Sequence, residues 1–190
     1  MNTIEIIKKA EEWLTPIFDL ETQKEVQNLI NNHPDELTDR FHKNMEFGTG
    51  GMRGVMGAGI NRINKYTLGK ATQGLSNFLK NHHSNKKISA VIAYDCRHNS
   101  KEFGKVVADV FTANGIKVYL FDDLRPTPEL SFAVRHLGAD TGLVLTASHH
   151  PPAYNGHKVY NAAGSPITTP NHRLTNEQVT HVSFAQIHFT

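Results

Sequence analysis

Three short apolar runs constrain what this chain can fold into: Ala90-Val91-Ile92-Ala93-Tyr94, Lys117 to Phe121, and Thr141 to Thr146, with Gly142-Leu143-Val144-Leu145 at its centre. Each has the length of a buried strand, and segments of helical length lie between them. From about Lys101 to Ala113, Phe103, Val106, Val107, Val110 and Phe111 recur at helical spacing, and Asn114-Gly115 supplies a C-terminal stop. Pro126 to His136 reads as the next helix, with proline near its first turn. Strand, helix, strand, helix, strand with short connections predicts right-handed crossovers and a largely parallel sheet covered on both faces. Ligands of such sheets sit outside the carboxyl ends of the strands, which directs attention to the residues after Leu145.

Those residues are T-A-S-H-H-P-P-A-Y-N-G-H-K, Thr146 to Lys158. Pro151 fixes its own φ near −65° and biases His150 towards an extended conformation, while Pro152, Asn155 and Gly156 complete a tight loop. Gly156 to Tyr160 then reads as a further strand, with Asn161 to Gly164 as its turn. Ser148, with His149 beside it and Lys158 returning after the turn, has the parts of an activated nucleophile or a phosphate acceptor. The same residue types also serve in loops that only cap or solvate a strand end, so both readings stand on residue types alone. The G-x-S-x-G elbow of α/β hydrolases is absent, because Ala147 and His149 flank the serine with no glycine two places away.

Upstream lies Phe47-Gly48-Thr49-Gly50-Gly51-Met52-Arg53-Gly54, continued to Gly59, with six glycines in twelve residues. Such a stretch lets backbone N–H groups approach an anion, and Arg53 adds a planar, permanently charged fork. A flexible turn is the alternative. Neither the P-loop spacing nor a G-x-G-x-x-G before a helix is present. From Asn64 the pattern turns helical through Tyr66, Ala71, Leu75, Phe78 and Leu79. Before the glycines, a helix over Ile4 to Leu14, a second from Glu21 to about Asn31 and a third over Asp35 to Phe41 predict a helical N-terminal extension, residues 1–40, that packs on the main domain.

Net charge is +2 with histidines neutral, so no strong field for nucleic acid or an anionic membrane is implied. One cysteine, Cys96, excludes an internal disulfide framework, and no run approaches the roughly 18 apolar residues needed to cross a bilayer. The expectation is a soluble, cytoplasmic protein.

Taken together, F-G-T-G-G-M-R-G at 47–54, Y-D-C-R at 94–97 and T-A-S-H-H-P with N-G-H-K at 146–158 resemble the first domain of the α-D-phosphohexomutases, the phosphoglucomutase and phosphomannomutase family, over roughly residues 41–170. The resemblance implies a three-layer α/β/α domain with a mostly parallel mixed sheet. It implies an isomerase in which a phosphoserine exchanges its phosphoryl group with the 1- and 6-hydroxyls of a hexose phosphate, or the 1- and 5-hydroxyls of a pentose phosphate, through a bisphosphate such as glucose 1,6-bisphosphate. Ser148 matches that serine, whose phosphate is also a Mg²⁺ ligand. His149, Lys158 and Arg53 match catalytic positions, with the proton-moving role open between His149 and Lys158. Gly48, Thr49, Asp95, Arg97 and Asn155 match supporting positions, and Asp95 with Arg97 is expected to brace the loop.

Two departures are evident. His150 stands where the family has asparagine, and His157 where it has an aromatic or aliphatic residue, so either is expected to alter how the loop packs or to add positive charge near the phosphate below about pH 6.5. His149, His150 and His157 as a zinc cluster lack a completing cysteine or carboxylate. The family's other three domains, which carry the remaining metal ligands and the sugar-selecting loop, have no counterpart here. Residues 171–190 show neither a helical pattern nor linker composition and leave Val182, Phe184, Ile187 and Phe189 unpaired, which reads as a truncated or frame-shifted tail. The expectation is therefore a domain inactive alone, or a non-catalytic sugar-phosphate or protein-binding module that keeps the fold.

Overall fold

The computed structural model describes residues 3–48, 50–83 and 87–189. Strands β2 (Ser89–Tyr94), β3 (Lys117–Leu120) and β4 (Thr141–Leu145) are parallel neighbours, with β2 between the other two. Helices α5 (Ser100–Ala113) and α6 (Thr127–His136) form the crossovers. Strand β5 (Tyr154–Asn161) runs antiparallel to β4, because loop 146–153 is too short to carry the chain back for a parallel pairing. The sheet order is β1-β5-β4-β2-β3, with β1 (Gly51–Val55) antiparallel at the outer edge. The sheet is thus mixed, parallel on one side of β4 and antiparallel on the other.

Alternation along each strand assigns the two faces. Ala90, Ile92 and Tyr94 of β2, Leu143 and Leu145 of β4 and Val159 of β5 pack with Leu68, Leu75, Val107 and Phe111 of α4 (Lys65–His82) and α5. Val91, Ala93, Val144 and Tyr160 point the other way, onto Leu130, Ala133 and Val134 of α6. Helix α6 covers β2 and β4. The same face of β5 and β1 lies beyond α6, and the candidate site occupies that stretch.

Helix α4 starts on a capping box. The Asn64 side chain accepts from the Tyr66 and Thr67 amides at 3.0 and 2.9 Å, and the Thr67 hydroxyl accepts from the Asn64 amide at 3.1 Å. The N-terminal helices α1 (Thr3–Glu11), α2 (Leu20–Asn32) and α3 (Pro34–Phe41) build a second core around Trp13, Phe18, Leu29 and Phe41, joined to the main domain through Ala58, Ile60 and Tyr66. Asp19 caps α2 by accepting from the Thr22 amide, and it also accepts from the Tyr66 hydroxyl at 2.7 Å and pairs with Lys65 at 2.9 Å.

Two stretches depart from the sequence reading. Part of the glycine-rich segment, Gly51–Val55, is the edge strand β1: the Gly48 and Gly51 amides bond each other's carbonyls at 2.9 Å, and the Gly50 amide bonds Ile167 O at 3.0 Å. Gly51 has φ +125°, and a Cβ there would lie 1.8 Å from His157 O, so the close strand approach requires glycine. The tail forms α7 (Asn171–His181), whose Val179 packs over Gly74 of α4, and then a short 3-10 turn over Phe184–Gln186. Val182 and Ile187 are buried against Val110, and Phe184 stacks edge-on against Trp13 and Phe18, so these apolar residues are partnered.

Candidate active site

Period-two geometry places the candidate groups. In the β1–β5 ladder Gly51 faces Lys158, Met52 faces His157 and Arg53 faces Gly156. Residues 51, 53, 156 and 158 therefore share one face and residues 52 and 157 the other. Arg53 and Lys158 are diagonal neighbours on the uncovered face, where they line a cavity of about 470 Å³ with His150, Tyr160 and Pro166. Ser148 is exposed and is not among the residues lining that cavity, but His150, two positions along, places its Nδ1 3.2 Å from Arg53 Nη1. The Ser148 hydroxyl lies 3.4 Å from His149 Nδ1.

The serine sits in the left-handed region, φ 56°, a conformation that costs a non-glycine residue about 1–2 kcal/mol and persists only where neighbours enforce it. Its own amide donates to the Thr146 hydroxyl at 3.0 Å. From below, Arg97 donates to four loop carbonyls: Ser148 O at 2.8 Å, His150 O at 2.5 Å, Pro151 O at 3.0 Å and Tyr154 O at 3.1 Å. Asp95 holds that arginine in place, accepting from the Arg97 amide at 3.0 Å and from the Ser100 hydroxyl at 2.8 Å, with its second oxygen 3.7 Å from Arg97 Nε. Asn155 completes the frame by donating to His98 O and to Ser100 Oγ, each at 3.0 Å. Asp95 and Arg97 thus contact each other and the loop, and Ser100 joins them although no motif pointed there. Gly48 is exposed at the mouth of β1, and Thr49 lies outside the described residues.

Electrostatics differ among the cations. Partial burial, then the neighbouring Arg53 charge, lowers the Lys158 ammonium, with Asp95 opposing. Desolvation and then Arg53 hold the His150 imidazole below its ordinary value, so it serves as an acceptor for the guanidinium. The expectation of added charge fails for His157. That side chain points into the core on the far face, fully buried, and burial pushes it down to about 3. Because the Thr72 hydroxyl already donates to Leu68 O at 2.8 Å, His157 Nε2–H donates to Thr72 Oγ1 at 3.2 Å, and Nδ1 is left as an acceptor without a donor. His157 and His149 thus lie on opposite sides of the sheet, and no group of three or more metal-ligating side chains occurs among the described residues.

The Mg²⁺ implied by the resemblance is not furnished by the described residues. Ser148 offers one oxygen, the nearby Asp95 carboxylate is engaged with Arg97 and Ser100, and Mg²⁺ prefers six oxygens in octahedral array. Among the described residues, no helix is long and apolar enough to cross a membrane.

Comparison with known proteins agrees with this geometry. The model of the phosphoglucomutase/phosphomannomutase alpha/beta/alpha domain I matches residues 44–186, which includes α7. A phosphoglucomutase of Staphylococcus haemolyticus is 46% identical over 127 residues, covering 67% of this chain and 23% of the relative. One from a bovine strain of Staphylococcus aureus is 43% identical over 147 residues, 77% of this chain and 26% of that protein. The chain therefore spans about a quarter of the length of these relatives. A solved chain from Thermus thermophilus, provisionally named a phosphomannomutase, superposes with a TM-score of 0.66 at 34% identity, over 72% of this chain and 30% of that one. A Burkholderia thailandensis phosphoglucomutase/phosphomannomutase family protein, at 23% identity and a TM-score of 0.60 over 75% of this chain and 31% of its own, shares the fold. A braced serine turn beside paired cations, together with a family match over most of its length, identifies this chain as a member of the phosphoglucomutase/phosphomannomutase family, spanning its α/β/α domain I.

Proposed function

We propose that the chain supplies the phosphoryl-carrying domain of a sugar-phosphate mutase, with Ser148 as the carrier and a hexose or pentose phosphate as substrate. The observation that supports this reading is the Arg97 clamp, which fixes a strained, exposed serine two residues from His150, itself a wall residue of the cavity that Arg53 and Lys158 line. In the loading step Ser148 Oγ attacks a phosphorus of a sugar bisphosphate. The O–P bond to the serine forms as the sugar O–P bond breaks; the serine proton passes to His149, and the departing sugar oxygen takes a proton from the Lys158 ammonium. The lowered Lys158 favours that donation, and Arg53 offsets the charge spread over the phosphoryl oxygens. Running the same step in reverse on the other hydroxyl of an incoming monophosphate regenerates the bisphosphate and the free serine, so the net change over the two steps is conversion of one monophosphate isomer to the other. Asp95 and Asn155 position the turn and take no part in the chemistry.

The test is mass spectrometry of tryptic peptides after incubation with glucose 1,6-bisphosphate, with bisphosphate binding followed in parallel by calorimetry. Phosphate on the peptide containing Ser148, absent in Ser148→Ala, is the expected result. A chain that binds the bisphosphate and acquires no phosphate at Ser148 refutes the assignment.

A further inference from the structure

A second cavity of about 470 Å³ opens where the N-terminal helices, α4 and the C-terminal 3-10 turn meet. Its wall is aromatic. Trp13 stacks on Phe18 with ring centroids 4.4 Å apart, and Phe184 closes edge-on against both at 5.3 and 5.5 Å. Lys70 enters this space from α4, half-buried, its Nζ 5.4 Å from the centre of the Phe184 ring. The same lysine, with Asn44, Ile60 and Phe184, also lines an adjoining cavity of about 130 Å³. No carboxylate pairs with Lys70 among the described residues, although Glu12 and Lys9 also line this cavity and Glu46 the adjoining one.

A half-buried ammonium with no counter-ion is uncommon, because desolvated charges are ordinarily paired. The ring face beneath it recovers part of the lost hydration and leaves the remaining donors free. Burial alone lowers the Lys70 ammonium, which agrees with an environment that offers no anion. We infer that this cavity is a binding site for a small organic monoanion, a carboxylate on an aromatic or branched apolar body, with the carboxylate on Lys70 and the body against Ile17 and Phe184, in front of the buried Trp13 and Phe18 rings. The volume is that of a small-ligand pocket; Lys9 and Glu12 also line it with opposite charges, so the net charge of the lining is that of one cation, which matches an amphipathic monoanion better than a polyanion such as a sugar bisphosphate. Because the walls come from both ends of the described chain, occupancy would also strengthen the packing of α1 and of the 3-10 turn on α4. The inference is independent of the Ser148 assignment.

Trp13, the single tryptophan, is a built-in reporter. Its emission is titrated with phenylacetate, with its neutral isostere 2-phenylethanol and with inorganic phosphate, in the unmodified chain and in Lys70→Met and Lys70→Arg, with circular dichroism confirming that each variant is folded. The expected result is a saturable change with phenylacetate that is at least about tenfold weaker with the alcohol, a discrimination lost in Lys70→Met and kept in Lys70→Arg. Equal affinity for acid and alcohol, absence of saturation, phosphate competing as well as phenylacetate, or discrimination surviving in Lys70→Met would each overturn it. Phosphorylation at Ser148 is unaffected by any of these outcomes, so the two readings fail separately.

Discussion

Replacing His157 by phenylalanine tests how the sheet tolerates a polar ring in its core. The imidazole is fully buried beside Phe47, with ring centroids 6.1 Å apart, and its Nδ1 has no donor. Leaving such an acceptor unsatisfied costs about 1–3 kcal/mol, and removing it does not orphan Thr72, whose hydroxyl still donates to Leu68 O. His157→Phe is therefore expected to raise stability at pH 7 by about 1 kcal/mol, after some of the gain is lost to fitting a slightly larger ring. The larger signature is in pH. The buried imidazole stays neutral down to about 3, while in the unfolded chain it takes up a proton near 6.5, so its contribution is intact above that value and declines as pH falls from there towards 3. Between pH 7 and pH 5 the linkage amounts to a loss of about 2 kcal/mol that the variant should not suffer. Urea unfolding followed by far-UV circular dichroism at several pH values measures both quantities. Parallel stability–pH curves for the two proteins would refute the reasoning.

Three further outcomes are expected. Arg97→Ala should lower stability by about 2 kcal/mol, since some of the four released carbonyls can rehydrate, and should make the 147–154 loop the first site of limited proteolysis; unchanged cleavage kinetics would contradict the clamp. Gly51→Ala should cost about 2–4 kcal/mol in denaturant titration, because the new Cβ meets His157 O in a backbone conformation alanine disfavours. For Asp19→Ala, loss of the α2 cap should cost about 0.5–2 kcal/mol near neutrality. Burial opposes ionisation of Asp19, but the Thr22 amide, Lys65 and Tyr66 together hold its carboxyl well below the usual range. That part of the stability is present above about pH 4 and vanishes as pH falls further, so the two proteins should converge in acid.

The parallel half of the sheet was legible because β2 and β4 are continuous apolar runs buried on both faces, separated by amphipathic helices, while the half-exposed edge strand β3 was marked by its Val118 and Tyr119 after the Asn114-Gly115 stop. The antiparallel edge was not. Strand β1 holds Gly51 and Gly54 in five residues, a composition that reads as loop, and it is a strand because β5 lies alongside to pair with it. Helix α7 was hidden for a similar reason: Asn171–His181 buries only Thr175 and Val179, too few positions to mark a period, and it is fixed by the groove that Gly74 leaves on α4. Ser148, Lys158 and Arg53 were legible as residue types, but their common face follows from the ladder register. His150 as the acceptor for Arg53, and Tyr160 on the cavity wall, came only from tertiary contacts.

Lys158 and His157 are consecutive on β5, one opening to solvent beside Arg53 and the other sealed beneath α4. Any shift of the strand that relieves crowding on the inner side tips the amine on the outer side by a comparable amount, with no flexible spacer between them to absorb it. Variation at the interior position is therefore a means of adjusting how the cation presents itself to a bound anion, and sequence drift in the core of this domain would register first as altered chemistry at its rim.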